Sequence, residues 1–241
     1  MSYEKSIIGM IVITIPGGNV CMDQIGRTLD HPEIISDIKP FSVYKPTVIT
    51  KDWKAMAGLI LDSLHRLHRA GATFAIIPSN TPHYAFDLYA PKSPIPVLNI
   101  IDISVEHCEK TGCRKVAVLG TKQTMEDGLY AKKLEAKGID AVVPDDETQV
   151  LLHQLIMEEL VPKGEKANPV LVSAVAEKLK TMPCDAFILG CTELPIAIVF
   201  TPENLGKPVI DTTRLLGDAA VAYACEIDRL HSVEWSAVAK L

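Results

Sequence analysis

The chain has 241 residues, 48% of them apolar and 22% charged, with a formal net charge of −6. That length is enough to bury one large domain or two small ones, and the acidic balance gives no electrostatic support to a nucleic-acid or anionic-membrane partner. No apolar run is long enough to span a bilayer, and Met1-Ser2-Tyr3-Glu4-Lys5 has neither a basic n-region nor a cleavage site, so no signal peptide is expected and the cytoplasm is the default location.

In chain order, the β-branched run from Ile7 to Ile15 predicts a first buried strand, closed by a turn at Pro16-Gly17-Gly18-Asn19. A second strand is expected over Ile38 to Val43, interrupted by Pro40. Trp53, Met56, Leu59, Ile60, Leu64 and Leu67 recur at three and four, which predicts a helix over Lys51 to Ala70, ended by Gly71. Phe74 to Ile77 is a third strand, closed by Pro78-Ser79-Asn80-Thr81-Pro82-His83. A short helix over Tyr84 to Leu88, a strand over Pro96 to Ile100 and a helix over Ile103 to Lys110 follow.

The alternation then repeats. Lys115 to Leu119 reads as a strand, Gly120 to Thr124 as a polar loop, Met125 to Lys137 as a helix and Ala141 to Val143 as a short strand. Helices are predicted over Thr148 to Leu160, ended near Pro162-Lys163-Gly164, and over Val170 to Met182. The apolar run Ala186 to Leu189 is a buried strand, Val209-Ile210 another, and a last helix runs from about Leu215 to Ile227. Strands alternating with helices of this length imply βαβ units and parallel sheets.

Two landmarks recur at one offset. Ser79 and Cys191 each follow a helix and a buried strand, and they stand 112 positions apart; Pro96 and Pro208, each opening a strand, also stand 112 apart. A constant offset argues for two related α/β halves. If they face each other, their strand-end loops converge on one cleft, with Ser79 and Cys191 on opposite walls.

Cys191 lies in Gly190-Cys191-Thr192-Glu193-Leu194-Pro195, at the carboxyl end of a strand, where α/β proteins place their chemistry. The other five cysteines, Cys21, Cys108, Cys113, Cys184 and Cys225, form no CxxC pair. A chain of this size without a secretory signal needs no disulfides, and Cys108 and Cys113 lack a matching pair for zinc. There is no Walker loop, Gly-x-Gly-x-x-Gly fingerprint or His-Glu-x-x-His motif.

Taken together and in this order, Ser79-Asn80-Thr81-Pro82-His83, Leu119-Gly120-Thr121 with Thr124-Met125 and Tyr130, Met157-Glu158-Glu159-Leu160, Gly190-Cys191-Thr192-Glu193 and Pro208-Val209-Ile210-Asp211-Thr212 resemble the aspartate/glutamate racemase superfamily. The resemblance implies two pseudo-symmetric, doubly wound parallel α/β domains with the active site in the cleft between them. Their boundaries are expected at 1–102 plus 212–241 and at 103–211. It also implies an arrangement commonly found as a homodimer and cofactor-independent proton transfer at the α-carbon of an amino acid; no metal site is expected. Two features depart from the family pattern. Ser79 stands where the family usually has cysteine, and Ile13-Thr14-Ile15-Pro16-Gly17-Gly18-Asn19 looks closer to the maleate isomerase and arylmalonate decarboxylase branch.

Racemisation without a cofactor needs a base on one face of the α-carbon and an acid on the other. Cys191 suits one role, with a helix N-terminus expected beside it to favour the thiolate. Ser79 is the atypical partner; its hydroxyl needs an activator, for which His83 is the candidate if the segment turns helically, the alternative being a cap or surface histidine. Asn80, Thr81, Thr124 and Thr192 are expected to present hydroxyls, amides and backbone N–H groups to a substrate carboxylate. Glu193 suits either a hydrogen bond into the site or a surface position, and Tyr130 either a substrate contact or the core. Lys45, Lys51 and Lys163 are the candidate cations for a dicarboxylate, each with a solvated-surface alternative. Asp211 is either a site residue or a helix cap. The expected function is racemisation of aspartate, glutamate or a similar acid. The alternatives are a single-cysteine decarboxylase or cis-trans isomerase of a small diacid, and a ligand-binding homologue without turnover.

Overall fold

The near-continuous apolar run at the start of the chain forms a central parallel strand, β1 (Ile7–Val12), with Ile8, Met10, Ile11 and Val12 at most 1% exposed. Burial on both faces is what a parallel strand between two helical layers requires. The computed structural model describes residues 5–163, 167–197 and 200–238, with side chains described as far as 228, and divides them into two compact units. The first comprises Met1–Pro78, Pro82–Asn99 and Leu216–Leu241, the second Ser79–Thr81 and Ile100–Leu215.

In the first unit β1 is followed by α1 (Ile15–Ile25), β2 (Glu33–Ile38), α2 (Phe41–Ile49), α3 (Trp53–Arg69), β3 (Phe74–Ile76) and the short α4 (Phe86–Tyr89). The three strands form a parallel sheet in the order β2-β1-β3. Helix α3 matches its predicted periodicity: Met56, Ile60, Leu64 and Leu67 are at most 1% exposed and pack into the core with Tyr44, Ala75 and Tyr89. Asp52 caps it, accepting from the Ala55 N–H at 2.9 Å.

Three expectations for this unit are corrected. Pro16-Gly17-Gly18-Asn19 is the opening of α1, not a turn: Pro16 occupies the first helical turn, where a missing N–H is harmless, and Gly18 N–H donates to the Thr14 carbonyl at 3.0 Å. The glycine serves close packing, since a Cβ at Gly18 would come within 2.7 Å of Val12 Cγ1. The second strand lies earlier than Ile38 to Val43, because Pro40 is the N-cap of α2 and the chain already turns into a helix there. Pro96 to Ile100 makes only a single bridge, Ala75 to Val97, before helix begins at Ile100.

Lys51, between α2 and α3, has φ 54°, the one positive value outside glycine among the described residues. A side chain there crowds its own backbone. Lys51→Gly is expected to raise stability by about 1 kcal/mol, read as a higher midpoint in urea with unchanged m-value.

The second unit runs through α5 (Ile100–Lys110), β4 (Lys115–Leu119), α6 (Lys122–Glu126), α7 (Ala131–Glu135), β5 (Asp140–Val142), α8 (Asp146–Gln154), a π-helical segment (Leu155–Leu160), α9 (Val161–Lys163), α10 (Pro169–Lys180), β6 (Ala186–Leu189), α11 (Pro202–Leu205), β7 (Val209–Asp211) and the start of α12 (Thr212–Val238). Its sheet is parallel, in the order β5-β4-β6-β7. Leu152, Leu155, Ile156, Val175, Leu179 and Phe187 fill its core. The helix expected over Met125 to Lys137 is two short helices, because Gly128 takes φ +65°, a left-handed value that ends helical bonding. The helix expected over Thr148 to Leu160 begins at Asp146 and widens to a π-helix in its last six residues. Gly164, where it was expected to end, lies outside the described residues.

The duplication is visible in backbone pairing. In the first unit Ala75 pairs with Val97 and its N–H donates to the Pro96 carbonyl at 2.8 Å; in the second, Phe187 pairs with Val209 and its N–H donates to the Pro208 carbonyl at 2.9 Å. Each residue is displaced by 112 positions from its counterpart. β1 and β4 hold equivalent central places, with β2 and β5 on one side of them and β3 and β6 on the other.

Candidate functional site

The site is built from the strand ends of the second unit. β4 and β6 are neighbours with Leu119 opposite Leu189, and each strand ends in a glycine, Gly120 and Gly190. Gly190 N–H donates to the Leu119 carbonyl at 2.6 Å. A Cβ on Gly190 would approach that carbonyl oxygen to 2.9 Å, and one on Gly120 would meet Thr124 Cβ at 2.9 Å. The absence of both side chains lets the loop opening at Gly120 close over the loop that carries Cys191. Thr121 caps α6, accepting from Thr124 N–H at 3.4 Å, and the two threonine hydroxyls lie 3.1 Å apart. Thr124 is thereby held against the paired strand ends, 3% exposed.

Cys191 is 9% exposed, Thr192 and Glu193 each 4%. The Cys191 thiol donates to Glu193 Oε2 at 3.1 Å, and the Thr192 hydroxyl donates to the same oxygen at 3.1 Å. Glu193 is therefore a buried partner of the cysteine. Burial pushes the Cys191 thiol well above its ordinary value; the Glu193 charge and the thiol–carboxylate hydrogen bond push the same way, and a backbone hydrogen bond from Glu193 opposes them only in part. The expectation of a helix dipole favouring the thiolate is corrected here. The helix that follows is the single turn Leu194–Ile196, too short to sum a macrodipole, and a carboxylate faces the sulfur. The resting group is the thiol.

Ser79 and Thr81 are half-buried, whereas Asn80 is 3% exposed. The Asn80 side chain is engaged at both ends: Oδ1 accepts from the Tyr130 hydroxyl at 2.5 Å, and Nδ2 donates to Thr212 Oγ1 at 3.4 Å. Thr212 in turn donates to the Leu189 carbonyl at 2.9 Å, two residues before Cys191. Tyr130 and Thr212 were not assigned this link from sequence, because it joins residues 50 and 132 positions apart and no local pattern encodes it.

The remaining candidates have other surroundings. His83 sits in a 3-10 segment, Thr81–Ala85, that begins after Ser79, so the α-helical i,i+4 relation between them does not form. It is buried in the first unit, its ring stacked on Phe86 with centroids 5.8 Å apart. Lys45 and Lys51 are exposed residues of the first unit, and Lys163 pairs with Glu159 at 2.5 Å. Asp211 is a helix cap: its Oδ1 accepts from the Thr213 and Arg214 N–H groups, each at 3.0 Å, and Oδ2 pairs with Arg214. Among the described residues no three His, Cys, Asp or Glu side chains converge on a metal position, and no helix is long and apolar enough to cross a membrane.

Comparison with known proteins is consistent across sequence and structure. Residues 25–220 match a family model described as Asp/Glu/Hydantoin racemase. A broad-specificity amino-acid racemase, RacX of Bacillus subtilis, is 25% identical over 194 residues, spanning 80% of this chain and 82% of that protein. An aspartate racemase homologue from Pyrococcus horikoshii superposes with a TM-score of 0.77 at 30% identity, covering 92% of this chain and all (100%) of the other. The aspartate racemase of Picrophilus torridus shares the fold, with a TM-score of 0.74 at 22% identity over 94% of this chain and 99% of its own.

Proposed function

The chain belongs to the Asp/Glu/hydantoin racemase family, and from that premise we propose that it is a cofactor-independent amino-acid racemase acting on aspartate, glutamate or a similar acid, with Cys191 as one acid/base group and Ser79 as its partner. The observation that carries this reading is the buried thiol–carboxylate pair at the end of β6, where the Cys191 thiol donates to Glu193 at 3.1 Å. A thiol held protonated is ready to deliver a proton to a carbanion on its face of the α-carbon. In the reverse direction Cys191 must first lose that proton, and Glu193 is within hydrogen-bond reach to accept it. An incoming α-ammonium beside the sulfur would offset the Glu193 charge and favour the thiolate.

Thr124, Thr192, Thr81 and the backbone of Asn80 are the proposed ligands of the substrate carboxylates. The Asn80 side chain is already occupied by Tyr130 and Thr212, so its contribution is the main-chain N–H. The names of the relatives, a broad-specificity racemase and an aspartate racemase homologue, support a small amino acid without choosing its side chain.

One observation favours a second reading. A resting thiol in a chain with serine rather than cysteine at position 79 also suits a one-acid enzyme, a decarboxylase or cis-trans isomerase of a small diacid, in which Cys191 protonates a carbanion and no second base is needed. Incubation in D2O with each enantiomer of aspartate and glutamate, followed by proton NMR and chiral chromatography, separates the two. Loss of the α-proton signal with appearance of the opposite enantiomer is the expected result. Absence of exchange and inversion with every amino acid tried sinks the racemase reading and directs the assay to substituted malonates and maleate.

A further inference from the structure

We propose that Tyr130 is a positioning residue, whose hydroxyl, acting through the Asn80 side chain, holds the Ser79-Asn80-Thr81 loop in fixed register with the strand end that carries Cys191. The inference rests on the racemase reading for its catalytic consequence, and on four atoms for its geometry. Tyr130 O–H donates to Asn80 Oδ1 at 2.5 Å, Asn80 Nδ2 donates to Thr212 Oγ1 at 3.4 Å, and Thr212 O–H donates to the Leu189 carbonyl at 2.9 Å.

The direction of this chain is set at its far end. A backbone carbonyl only accepts, so Thr212 must spend its single proton on Leu189. Its remaining lone pairs then demand a donor, which orients the Asn80 amide with Nδ2 towards Thr212 and Oδ1 towards Tyr130. Towards Asn80 Oδ1, Tyr130 can only donate. All three side chains are buried, at 1%, 3% and 0% exposure for Tyr130, Asn80 and Thr212. In such surroundings an unmade hydrogen bond is costly, and aligned bonds strengthen one another.

The anchor points are next to the chemistry. Asn80 immediately follows Ser79, and Leu189 is separated from Cys191 by Gly190 alone. The chain therefore ties the backbone of one acid/base candidate to the backbone of the other, through groups that do not touch the reacting atoms. Losing the Tyr130 donor frees the amide to rotate, and the Ser79 loop with it; a shift of about 1 Å in a reacting group is enough to cost roughly 10²-fold in rate.

Tyr130→Phe removes one O–H and keeps the buried ring. Expected are a fall in kcat of about 10- to 100-fold, KM within about threefold of the parent, and a near-parental thermal midpoint. Thr212→Val should act in the same direction, and the double variant should lose much less than the product of the two singles, as members of one network do. A second readout needs no turnover. In protein labelled with 15N at asparagine, the Asn80 side-chain amide should exchange slowly with solvent in the parent and at least tenfold faster in Tyr130→Phe. Unchanged Asn80 protection overturns the proposal, as does lost protection with unaltered kcat, or a loss that appears only in KM. A parent protein that exchanges no amino acid overturns the racemase reading instead, and the amide exchange then decides the positioning link alone.

Discussion

Cys191→Ala is expected to slow α-proton exchange by about 10²- to 10⁴-fold, the range a single positioned acid/base group supplies, while the protein remains folded. The side chain is small, though it belongs to the second unit's buried core, so its loss removes a single sulfur's volume. Retained turnover would remove Cys191 from the mechanism. The ionisation of the same group gives a sharper signature. Burial and the Glu193 carboxylate hold the Cys191 thiol well above its ordinary value, and only the thiolate reacts with iodoacetamide. Alkylation of Cys191, followed by peptide mass mapping, should therefore be slow at neutral pH and should keep rising beyond pH about 8.5, the ordinary thiol value. Activity that uses the thiol as an acid should correspondingly persist into mildly alkaline solution and fall only as pH passes the raised value. Glu193→Gln removes the opposing charge and leaves desolvation in place, so the alkylation profile should move to lower pH without reaching that of an exposed thiol. Faster alkylation of Cys191 than of exposed Cys225 at pH 7 would contradict this account.

The elements legible in the sequence were those fixed by local patterns. β4 is Lys115 followed by an apolar run ended by glycine, and α3 repeats its apolar residues at three and four; both lie where the pattern puts them. The duplication was legible because equivalent strands kept their spacing. Elements fixed by contacts at a distance are not legible in the sequence. Pro16-Gly17-Gly18-Asn19 carries turn composition, yet Gly18 is there because Val12 leaves no room for a side chain, and that neighbour is known only once α1 packs on β1. The π-helical winding of Leu155–Leu160 keeps the apolar spacing of an ordinary helix closely enough to hide in it. At the site, Cys191 stood out because a cysteine follows a buried strand and a glycine. Its protonation state did not, because the motif suggests a helix start and the folded chain instead turns Glu193 back onto the sulfur. The role of Asn80 was hidden for a related reason: an asparagine beside a candidate catalytic residue suggests substrate contact, and its partners come from α12 and the turn before α7.

Ser79→Cys is expected to raise the racemisation rate by about 10- to 100-fold, as part of the 10²- to 10⁴-fold that a well-matched acid/base group contributes. A thiol ionises near pH 8.5, whereas a hydroxyl needs an activating base beside it to serve in the same step. His83 is not placed to be that base through an α-helical turn, since Ser79 precedes the 3-10 segment that contains it. With serine in place, the two directions should be unequal. The enantiomer whose α-proton faces Ser79 should exchange slowly, and the one facing Cys191 should exchange as fast as Glu193 can take the thiol proton. Single-enantiomer progress curves in D2O should show this asymmetry in the parent, and Ser79→Cys should narrow it by accelerating the slow direction. Ser79 is half-buried, so the thermal midpoint of Ser79→Cys, read alongside its rate, separates a packing effect from a chemical one. If Ser79→Cys loses activity while Ser79→Ala retains it, the residue is a spectator and the second acid/base group lies elsewhere. If Ser79→Ala and Ser79→Cys both chiefly raise KM, the serine binds a carboxylate, and Cys191 with Glu193 constitutes the whole proton-transfer machinery, as the one-acid reading requires.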